Sequence, residues 1–287
     1  MPASADESVP AIALPEMGRF SHEACAVDPG TWIVYETEDA GNTSGFYRFI
    51  PHTRGVLADG GRLQMLAIDG VPNYATHTGQ TVGVALPVTW VDIADPDPPL
   101  SATPSTDVSR QGAALGAASF ARLEGCWWGN HAIYFAATSG GDAGLGQVWE
   151  FRPRGDGGTL TLIFESGGPT QLDSPDNVAV SPGGAIMLCE DGDDDQYLRG
   201  LTINGEIFDF ALNLETEHEW AGATFAVADP RWNDSRMRGG NPALGSLEDR
   251  TTLFVNRQGA TRGTNPPAPG QEGITFAIWG PWAQGAF

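Results

Sequence analysis

Hydrophobic and polar residues alternate in short stretches along this chain, and no stretch shows the longer period of an amphipathic helix. Four segments share one order: an apolar strand with a polar or acidic end, followed by a second strand rich in aromatic residues. The four pairs are VDPGTWIVYETED with SGFYRFIP, WGNHAIYFAATSGGD with GQVWEFRP, VSPGGAIMLCEDGDDD with GEIFDFALN, and TTLFVNRQG with GITFAIWGPW. This pattern predicts repeated antiparallel β-structure.

The turns and the spacing of these repeats indicate the architecture. Three repeats contain turns of the type that joins antiparallel strands, at Asp28-Pro29-Gly30, Gly129-Asn130 and Pro182-Gly183-Gly184. Matching apolar residues recur at Ile33, Ile133, Ile186 and Leu253. Propeller blades repeat at about 40–50 residues, so these longer intervals fit a propeller with insertions. The predicted fold is all-β, a β-propeller with about four recognisable blades.

The domain organisation follows from the same pattern. We expect an N-terminal tail over residues 1–16 and a single propeller domain, or a portion of one, over residues 17–287. Insertions are expected near 52–118 and 229–250. The first contains two further strand candidates, GRLQMLAIDG and ALPVTWVDIADPDPPL, and then a Ser/Thr/Pro-rich surface excursion to Arg110. Residues 229–250 and 260–272 are predicted to be loops.

Composition and charge exclude several functions. The 36 acidic residues outnumber the 15 basic ones, all of which are Arg, and the net charge is −21. A chain without Lys cannot form a Schiff base or a Walker A phosphate loop. Its negative field repels nucleic-acid phosphates and anionic membranes, so neither is an expected partner. No apolar run approaches the ~18 residues of a membrane span, and the N-terminus lacks signal-peptide features, which leaves the localisation open.

The three cysteines do not indicate a metal or disulfide framework. Cys25, Cys126 and Cys189 are an odd number and form no CxxC motif. Each lies beside apolar residues, and we expect all three to be small buried hydrophobic residues.

Acidic residues recur at equivalent places in the repeats. Glu38-Asp39 and Glu190-Asp191 end apolar strands of two repeats, while Glu23 and Glu124 each precede a strand. The innermost strands of a propeller converge on a central channel, where these carboxylates could meet. Several carboxylates so close together require cations, and their oxygens suit calcium, magnesium, manganese or ferric iron. Each acid taken singly reads as a surface residue, but the repeated placement favours a metal site.

Two further features carry open alternatives. Arg122 lies two residues before Glu124, so a strand would place both on one face, where the guanidinium could bind a phosphate or carboxylate. The alternative is a structural ion pair between Arg122 and an acid. Asp176 and Asn177 lie in a polar turn that could complete a cation site, or form an Asx-turn without a ligand. The run Asp191–Asp195 lacks the EF-hand spacing and reads as a solvated acidic turn.

Taken together, these stretches resemble the PhoX-type alkaline phosphatase family. The matching segments are GRFSHEACAVDP, YETED with SGFYRF, FARLEGCWWGNHAIYFAATSGGDAGLGQVWEF, LDSPDNVAVSPGGAIMLCEDG, DQYLRGLTINGEIFDFALN, and TLFVNRQG with GITFAIWGPW. The resemblance implies a six-bladed propeller whose channel holds calcium and iron and hydrolyses phosphomonoesters, in exported, periplasmic bacterial proteins. It implies metal-ligand roles for Glu23 and Glu124 and a phosphate-binding role for Arg122. By extension, the candidate metal ligands also include Glu38, Asp39, Asp176, Asn177 and Glu190.

One family feature is missing from this sequence. Family members carry an iron-ligating Cys and a glycine-rich TPWGT run upstream of the RFSHE segment, and this chain begins just before RFSHE. We therefore expect about two blades and part of the metal site to be absent. The chain would be a C-terminal portion, a four-bladed short relative or half of a split protein. The expected consequences are weak calcium binding, slow phosphomonoester hydrolysis and self-association through exposed blade edges.

Two other functions fit a propeller of this kind. One is a calcium-dependent lactonase of the gluconolactonase-like type, which also uses channel carboxylates. The other is a non-catalytic binding scaffold. Inhibition by phosphate would favour the phosphatase, and lactone hydrolysis without phosphate inhibition would favour the lactonase.

Overall fold

The computed structural model describes residues 11–99, 101, 106–214, 218–227, 251–259 and 272–280. These ranges contain a 3-10 helix at Pro15–Met17, one α-helix, α1 (Asp107–Ala114), and sixteen β-strands. The strands are β1 (His22–Val27), β2 (Val34–Glu38), β3 (Phe46–Thr53), β4 (Val56–Ile68), β5 (Ala85–Asp92), β6 (Leu123–Gly129), β7 (Ala132–Ala137), β8 (Gln147–Arg154), β9 (Gly157–Glu165), β10 (Pro175–Val180), β11 (Ile186–Glu190), β12 (Tyr197–Leu201), β13 (Ile207–Leu212), β14 (Trp220–Val227), β15 (Thr251–Arg257) and β16 (Ile274–Trp279). No helix within the described ranges is long and apolar enough to cross a membrane.

The strands form four antiparallel blades. Strands β1–β4 make blade 1, β6–β9 blade 2, β10–β13 blade 3 and β14–β16 blade 4. Strand β5 pairs with β4 on one side and β9 on the other, and so joins the outer edges of blades 1 and 2 into one nine-stranded sheet. Both of those edges are thereby covered. The prediction of an all-β propeller with about four blades is confirmed.

Local turn chemistry explains how the first two strands are joined in blades 1 and 2. Between β1 and β2, the Asp28 carboxylate accepts hydrogen bonds from the Gly30 N–H (2.8 Å) and the Thr31 hydroxyl (2.7 Å). Between β6 and β7, Asn130 and His131 both have positive φ, 49° and 58°, as a tight two-residue hairpin turn requires. The turns expected from the sequence therefore lie where they were predicted.

Two elements differ from the expectation. The sequence pattern joined the segment ending at 195 directly to GEIFDFALN, but β12 (Tyr197–Leu201) lies between them as the third strand of blade 3. All but the first residue of β12 are buried, so the strand shows no alternation of polar and apolar residues. The stretch read as a surface excursion to Arg110 contains α1, which buries Val108 against blade 1. A helix of eight residues with one large apolar side chain gives little periodic signal.

Other predictions concern residues at the margins of the described ranges. The loops predicted at 229–250 and 260–272 lie, apart from residue 272, outside these ranges, as do residues 1–10 of the predicted tail. The rest of that tail contacts blade 1, because the Glu16 carboxylate accepts a hydrogen bond from the Gly61 N–H at 2.7 Å.

Hydrophobic side chains between neighbouring blades hold the propeller together. Blades 1 and 2 share an aromatic core in which the rings of Phe46 and Phe135 stack with centroids 4.3 Å apart. Between blades 3 and 4 the core includes Met187, Leu198 and Leu253. Strand β11 of blade 3 packs between blades 2 and 4, which explains why all five of its residues are buried. Burial of this apolar surface is the main stabilising contribution to the fold.

Blades 1 and 4, the first and last in the row, each have one face that packs on no other described blade, here called the far face. The two far faces differ in how they are covered. The far face of blade 1 packs against Val108 of α1 and against Ile93 and Ala117. On blade 4, Phe254 is 39% exposed and Trp279 is 66% exposed. Self-association through exposed blade edges stays a prediction.

The main chains of strands β6 and β10 lie in close contact at Gly125. A Cβ atom added there would lie 2.5 Å from the Asp176 carbonyl oxygen and 2.6 Å from the Val178 nitrogen, both main-chain atoms of β10. Real Cβ atoms do not approach so closely, so any larger residue must separate blades 2 and 3.

We therefore predict that Gly125→Ala destabilises the protein. Overpacking of this kind costs about 1–3 kcal/mol in the free energy of unfolding. Urea denaturation should show a lower midpoint for the variant than for the wild type. Gly168→Ala is the matched control, because a Cβ at Gly168 would meet no atom within 4 Å. Equal midpoints for Gly125→Ala and the wild type would contradict the close packing of β6 on β10.

Candidate metal centre

The four innermost strands, β1, β6, β10 and β14, lie side by side and share one irregularity. In β1, His22 pairs with Glu38 but Cys25 pairs with Glu36, so two residues of β1 lie opposite one residue of β2. The same one-residue shift occurs in β6 between Leu123 and Cys126, in β10 between Pro175 and Val178, and in β14 between Ala221 and Thr224. These shifts are β-bulges, which redirect side chains and are frequent beside functional sites.

One main-chain hydrogen bond also recurs in all four blades. The residue that follows the second strand donates its N–H to the carbonyl of the residue that precedes the innermost strand. The four pairs are Asp39 to Ser21 (2.9 Å), Thr138 to Arg122 (2.9 Å), Asp191 to Ser174 (2.9 Å) and Gln258 to Glu219 (3.0 Å). This bond fixes the two strand ends together at the same end of every blade.

Six carboxylates gather at this end of the blades. Glu23, Glu124 and Asp176 are each the second residue of an innermost strand. Asp39 and Asp191 directly follow second strands, and Glu219 directly precedes β14. Their oxygens form two groups, in each of which the atoms lie within 4.8 Å of one another. The first group is Glu23, Asp39 and Glu124, and the second is Asp176, Asp191 and Glu219.

The electrostatics of both groups favour a bound cation. Burial raises the pKa of Glu124 to about 9, with further contributions from the charges of Asp176, Asp39 and Glu23, while Arg122 opposes them. Burial likewise raises the pKa of Glu219 to about 8, with repulsion from Asp191 and Asp176. Asp176 acts on both, so the two groups are close enough to interact. A bound cation would relieve this repulsion between the carboxylates. Carboxylate oxygens are the hard donors that calcium and similar cations take.

Arg122 lies beside the first group in a strained backbone conformation. Its φ of 50° is unusual for a residue with a side chain, and its N–H bonds the Gly41 carbonyl at 2.8 Å. The Nε and Nη2 atoms lie 3.0 Å from the two Asp39 oxygens, and Nη2 lies 2.8 Å from Glu124 Oε1. The predicted proximity of Arg122 and Glu124 is confirmed, but its predicted cause is wrong. Arg122 precedes β6, so its positive φ and not strand alternation brings the two side chains together.

Of the residues proposed as ligands from the sequence, Glu38 and Glu190 lie outside both groups, and Asn177 is hydrogen-bonded to the next blade. Glu38 accepts hydrogen bonds from the Tyr47 hydroxyl (2.7 Å) and the Gly45 N–H (2.8 Å), and burial raises its pKa to about 7. Glu190 pairs with Arg199 Nε at 2.8 Å. Asn177 Oδ1 accepts a hydrogen bond from the Gly222 N–H. Glu38 and Glu190 directly precede Asp39 and Asp191, and neighbouring side chains of an extended strand point to opposite faces.

Two members of the second group were missed as ligands in the sequence. Asp191 had a usable signal, because Thr37-Glu38-Asp39 and Cys189-Glu190-Asp191 are equivalent and Asp39 was already a candidate. For Glu219 the only signal was the preceding His, since His218-Glu219 matches His22-Glu23. Glu219 lies just before β14, whereas Glu23 lies within β1.

The remaining candidates lie apart from both groups. Asp193, Asp194 and Asp195 line a separate cavity of about 590 Å³. Of the cysteines, Cys126 and Cys189 are buried as predicted, whereas Cys25 is exposed, so the expectation of burial is wrong for that residue. None of the three belongs to either carboxylate group.

Comparisons with known proteins show which family this chain resembles. The sequence profile of the family described as "Alkaline phosphatase PhoX" matches residues 2–260. Among solved structures, Pseudomonas fluorescens PhoX in complex with vanadate, a transition state analogue, is similar in fold with a TM-score of 0.63 and 18% sequence identity. The match covers 92% of this chain and 54% of that one, so the chain spans about half the length of that relative.

A second solved structure is much less similar. A streptogramin B lyase structure has a TM-score of 0.36 at 12% identity, with 92% of this chain and 70% of that one covered. No protein of curated function matches the sequence.

The raised pKa of Glu124 makes the stability of the metal-free protein depend on pH. An unfolded Glu loses its proton near pH 4.5, whereas folded Glu124 keeps it to about pH 9. In that window the folded state binds more protons, so the free energy of unfolding falls as the pH rises. We predict that urea unfolding in EDTA shows this fall between pH 5 and pH 9, and that Glu124→Gln reduces its slope. Excess calcium should remove the difference in slope between the two proteins. Identical slopes in EDTA would contradict the prediction.

Proposed function

We propose that this chain, which belongs to the PhoX alkaline phosphatase family, is a metal-dependent phosphomonoesterase acting at the two carboxylate groups and Arg122. The observation that carries the proposal is the position of Arg122, a cationic fork held at the edge of a cluster of six carboxylates. Cations and an arginine together provide the positive charge that a phosphoryl group requires.

The two carboxylate groups would each hold a cation. Glu23, Asp39 and Glu124 would bind one, and Asp176, Asp191 and Glu219 the other. We propose calcium, because both groups offer carboxylate oxygens and no thiol. Iron, which the family resemblance implies, would have to use the same carboxylates as a ferric ion. When bound, such cations act as Lewis acids on phosphoryl oxygens and neutralise the charge that develops there.

Protons held by the carboxyl groups would leave when the site fills. Glu23 and Glu124 hydrogen-bond one another, and the pKa of each is raised, chiefly by burial. A hydrogen bond between two carboxyl groups requires that one of them carries a proton. Ligands must be deprotonated to bind, so cation binding would release protons and grow stronger as the pH rises. This is consistent with an enzyme that works at alkaline pH.

Arg122 would bind and orient the phosphoryl group. Asp39 and Glu124 engage its Nε and Nη2 atoms, which fixes the plane of the guanidinium. Within the part of the chain that the structure describes, Nη1 makes no hydrogen bond, and the side chain is 47% exposed. Nη1 can therefore donate to a phosphoryl oxygen that approaches from solvent.

The substrate class follows from the same charges. The net charge of −21 disfavours long polyanions such as nucleic acids and leaves small soluble phosphomonoesters as the substrates that we propose. We also propose that the protein is exported, as the family resemblance implies.

We predict that hydrolysis of p-nitrophenyl phosphate depends on both the cations and Arg122. Dialysis against EDTA should abolish turnover, and added calcium, alone or with iron, should restore it. Arg122→Ala should lower kcat/KM by about 100-fold or more, the usual cost of removing one donor to transition-state charge.

The matched control is Arg152→Ala. Arg152 is 45% exposed and pairs with Glu150 at 2.7 Å on strand β8, so it resembles Arg122 in exposure and pairing. This variant should keep wild-type activity. If the wild-type chain gives no turnover above background under any metal condition, the phosphatase proposal is wrong.

A further inference from the structure

We propose that Thr37 is a positioning residue that fixes Glu23 and Glu124 relative to one another by hydrogen bonding to the innermost strands of two blades. This role rests on the proposed function, because Thr37 would act through the cation that Glu23 and Glu124 would share.

The contacts of Thr37 join two blades at the carboxylates. The side chain is fully buried, and its Oγ1 accepts a hydrogen bond from the Ala24 N–H at 3.0 Å. The same hydroxyl donates to the main-chain carbonyl of Glu124 at 2.6 Å. Ala24 directly follows Glu23, so one hydroxyl connects the main chains of β1 and β6 at the residues that carry the carboxylates.

The β-bulge explains why a hydroxyl is required there. His22 pairs with Glu38 and Cys25 with Glu36, so Thr37 is the single residue opposite Glu23 and Ala24. A bulge disrupts the strand ladder and leaves main-chain groups without strand partners. A hydroxyl is both a donor and an acceptor, so Thr37 can bond the Ala24 N–H on its own blade and a carbonyl on the next.

Blade 3 repeats this arrangement with a different side chain. Cys189 lies opposite the bulge of β10 and is fully buried. Its sulfur is hydrogen-bonded by the backbone of Ala223 in β14, the innermost strand of the next blade. Blade 2 has Ala136 at the equivalent place, and Gly125 there lets the main chains of β6 and β10 approach directly. In blades 1 and 3, the side chain opposite the bulge thus reaches the next blade.

Loss of the Thr37 hydroxyl should loosen the first carboxylate group. Glu23 and Glu124 come from different blades, and Thr37 is a direct polar link between their main chains. Without it, the Ala24 N–H and the Glu124 carbonyl lose a buried partner and the two strand starts can move apart. Losing the groups that orient ligands typically lowers metal affinity about 10–100-fold.

The test measures calcium binding by titration calorimetry in Thr37→Val and Thr37→Ser. The valine variant keeps the shape and removes the hydroxyl, so we expect its Kd for calcium to rise about 10–100-fold. The serine variant keeps the hydroxyl and should bind within a few-fold of wild type. Thr76→Val is the matched control, because Thr76 is also fully buried but its hydroxyl donates to the Ser119 carbonyl.

A second measurement needs no metal. Amide hydrogen exchange followed by NMR should show the Ala24 N–H protected in wild type and Thr37→Ser, and exchanging faster in Thr37→Val. If Thr37→Val does not fold, Thr37→Cys replaces it, since a thiol is a weaker hydrogen-bonding group and should give a smaller loss in both measurements.

The outcomes separate this role from the proposed function. Calcium affinity and Ala24 protection equal to wild type in Thr37→Val would overturn the role of Thr37. A wild-type chain that binds calcium but hydrolyses no phosphomonoester would overturn only the proposed function, because the affinity loss in Thr37→Val still measures positioning. A wild-type chain that binds no calcium would overturn the role of Thr37 and the assignment of calcium to these carboxylates, while the phosphatase proposal would still be decided by the turnover assay.

Discussion

The side chains of Glu23, Glu124 and Asp176 reach the same region because each lies in a β-bulge at the start of an innermost strand. One extra residue shifts the register between the first and second strands of every blade. A hydrogen bond of 2.9–3.0 Å then ties the two strand ends together in the same way each time. Repetition of this local geometry in adjacent blades brings acids together that are more than fifty residues apart in sequence.

The resulting cluster opposes folding in the absence of a cation. Six carboxylates and one arginine share the site, and the pKa of Glu124 rises to about 9, mainly through burial and secondarily through repulsion. Arg122 adopts a left-handed backbone conformation that residues with side chains seldom use. Features that lower stability in this way are typical of sites maintained for function, and the hydrophobic interfaces between blades offset them.

The sequence predicted the fold well where strands alternate and turns carry glycine, proline or asparagine. It failed at β12, which is almost wholly buried, and at α1, which is too short to show a period. For the site, repeated acidic positions led to Glu23, Asp39, Glu124 and Asp176. The sequence also included the direct neighbours Glu38 and Glu190, which lie outside both carboxylate groups, because the phase of β2 and β11 decides which of two adjacent acids joins the cluster. That phase depends on pairing between strands, which one sequence does not show.

The central claim is that the bulged strand starts create two cation sites from residues of different blades. An anomalous difference map from crystals of this chain soaked in calcium tests it most directly. The account predicts one peak among Glu23, Asp39 and Glu124 and a second among Asp176, Asp191 and Glu219. Calcium found only in the acidic cavity lined by Asp193–Asp195, with none at either carboxylate group, would contradict it.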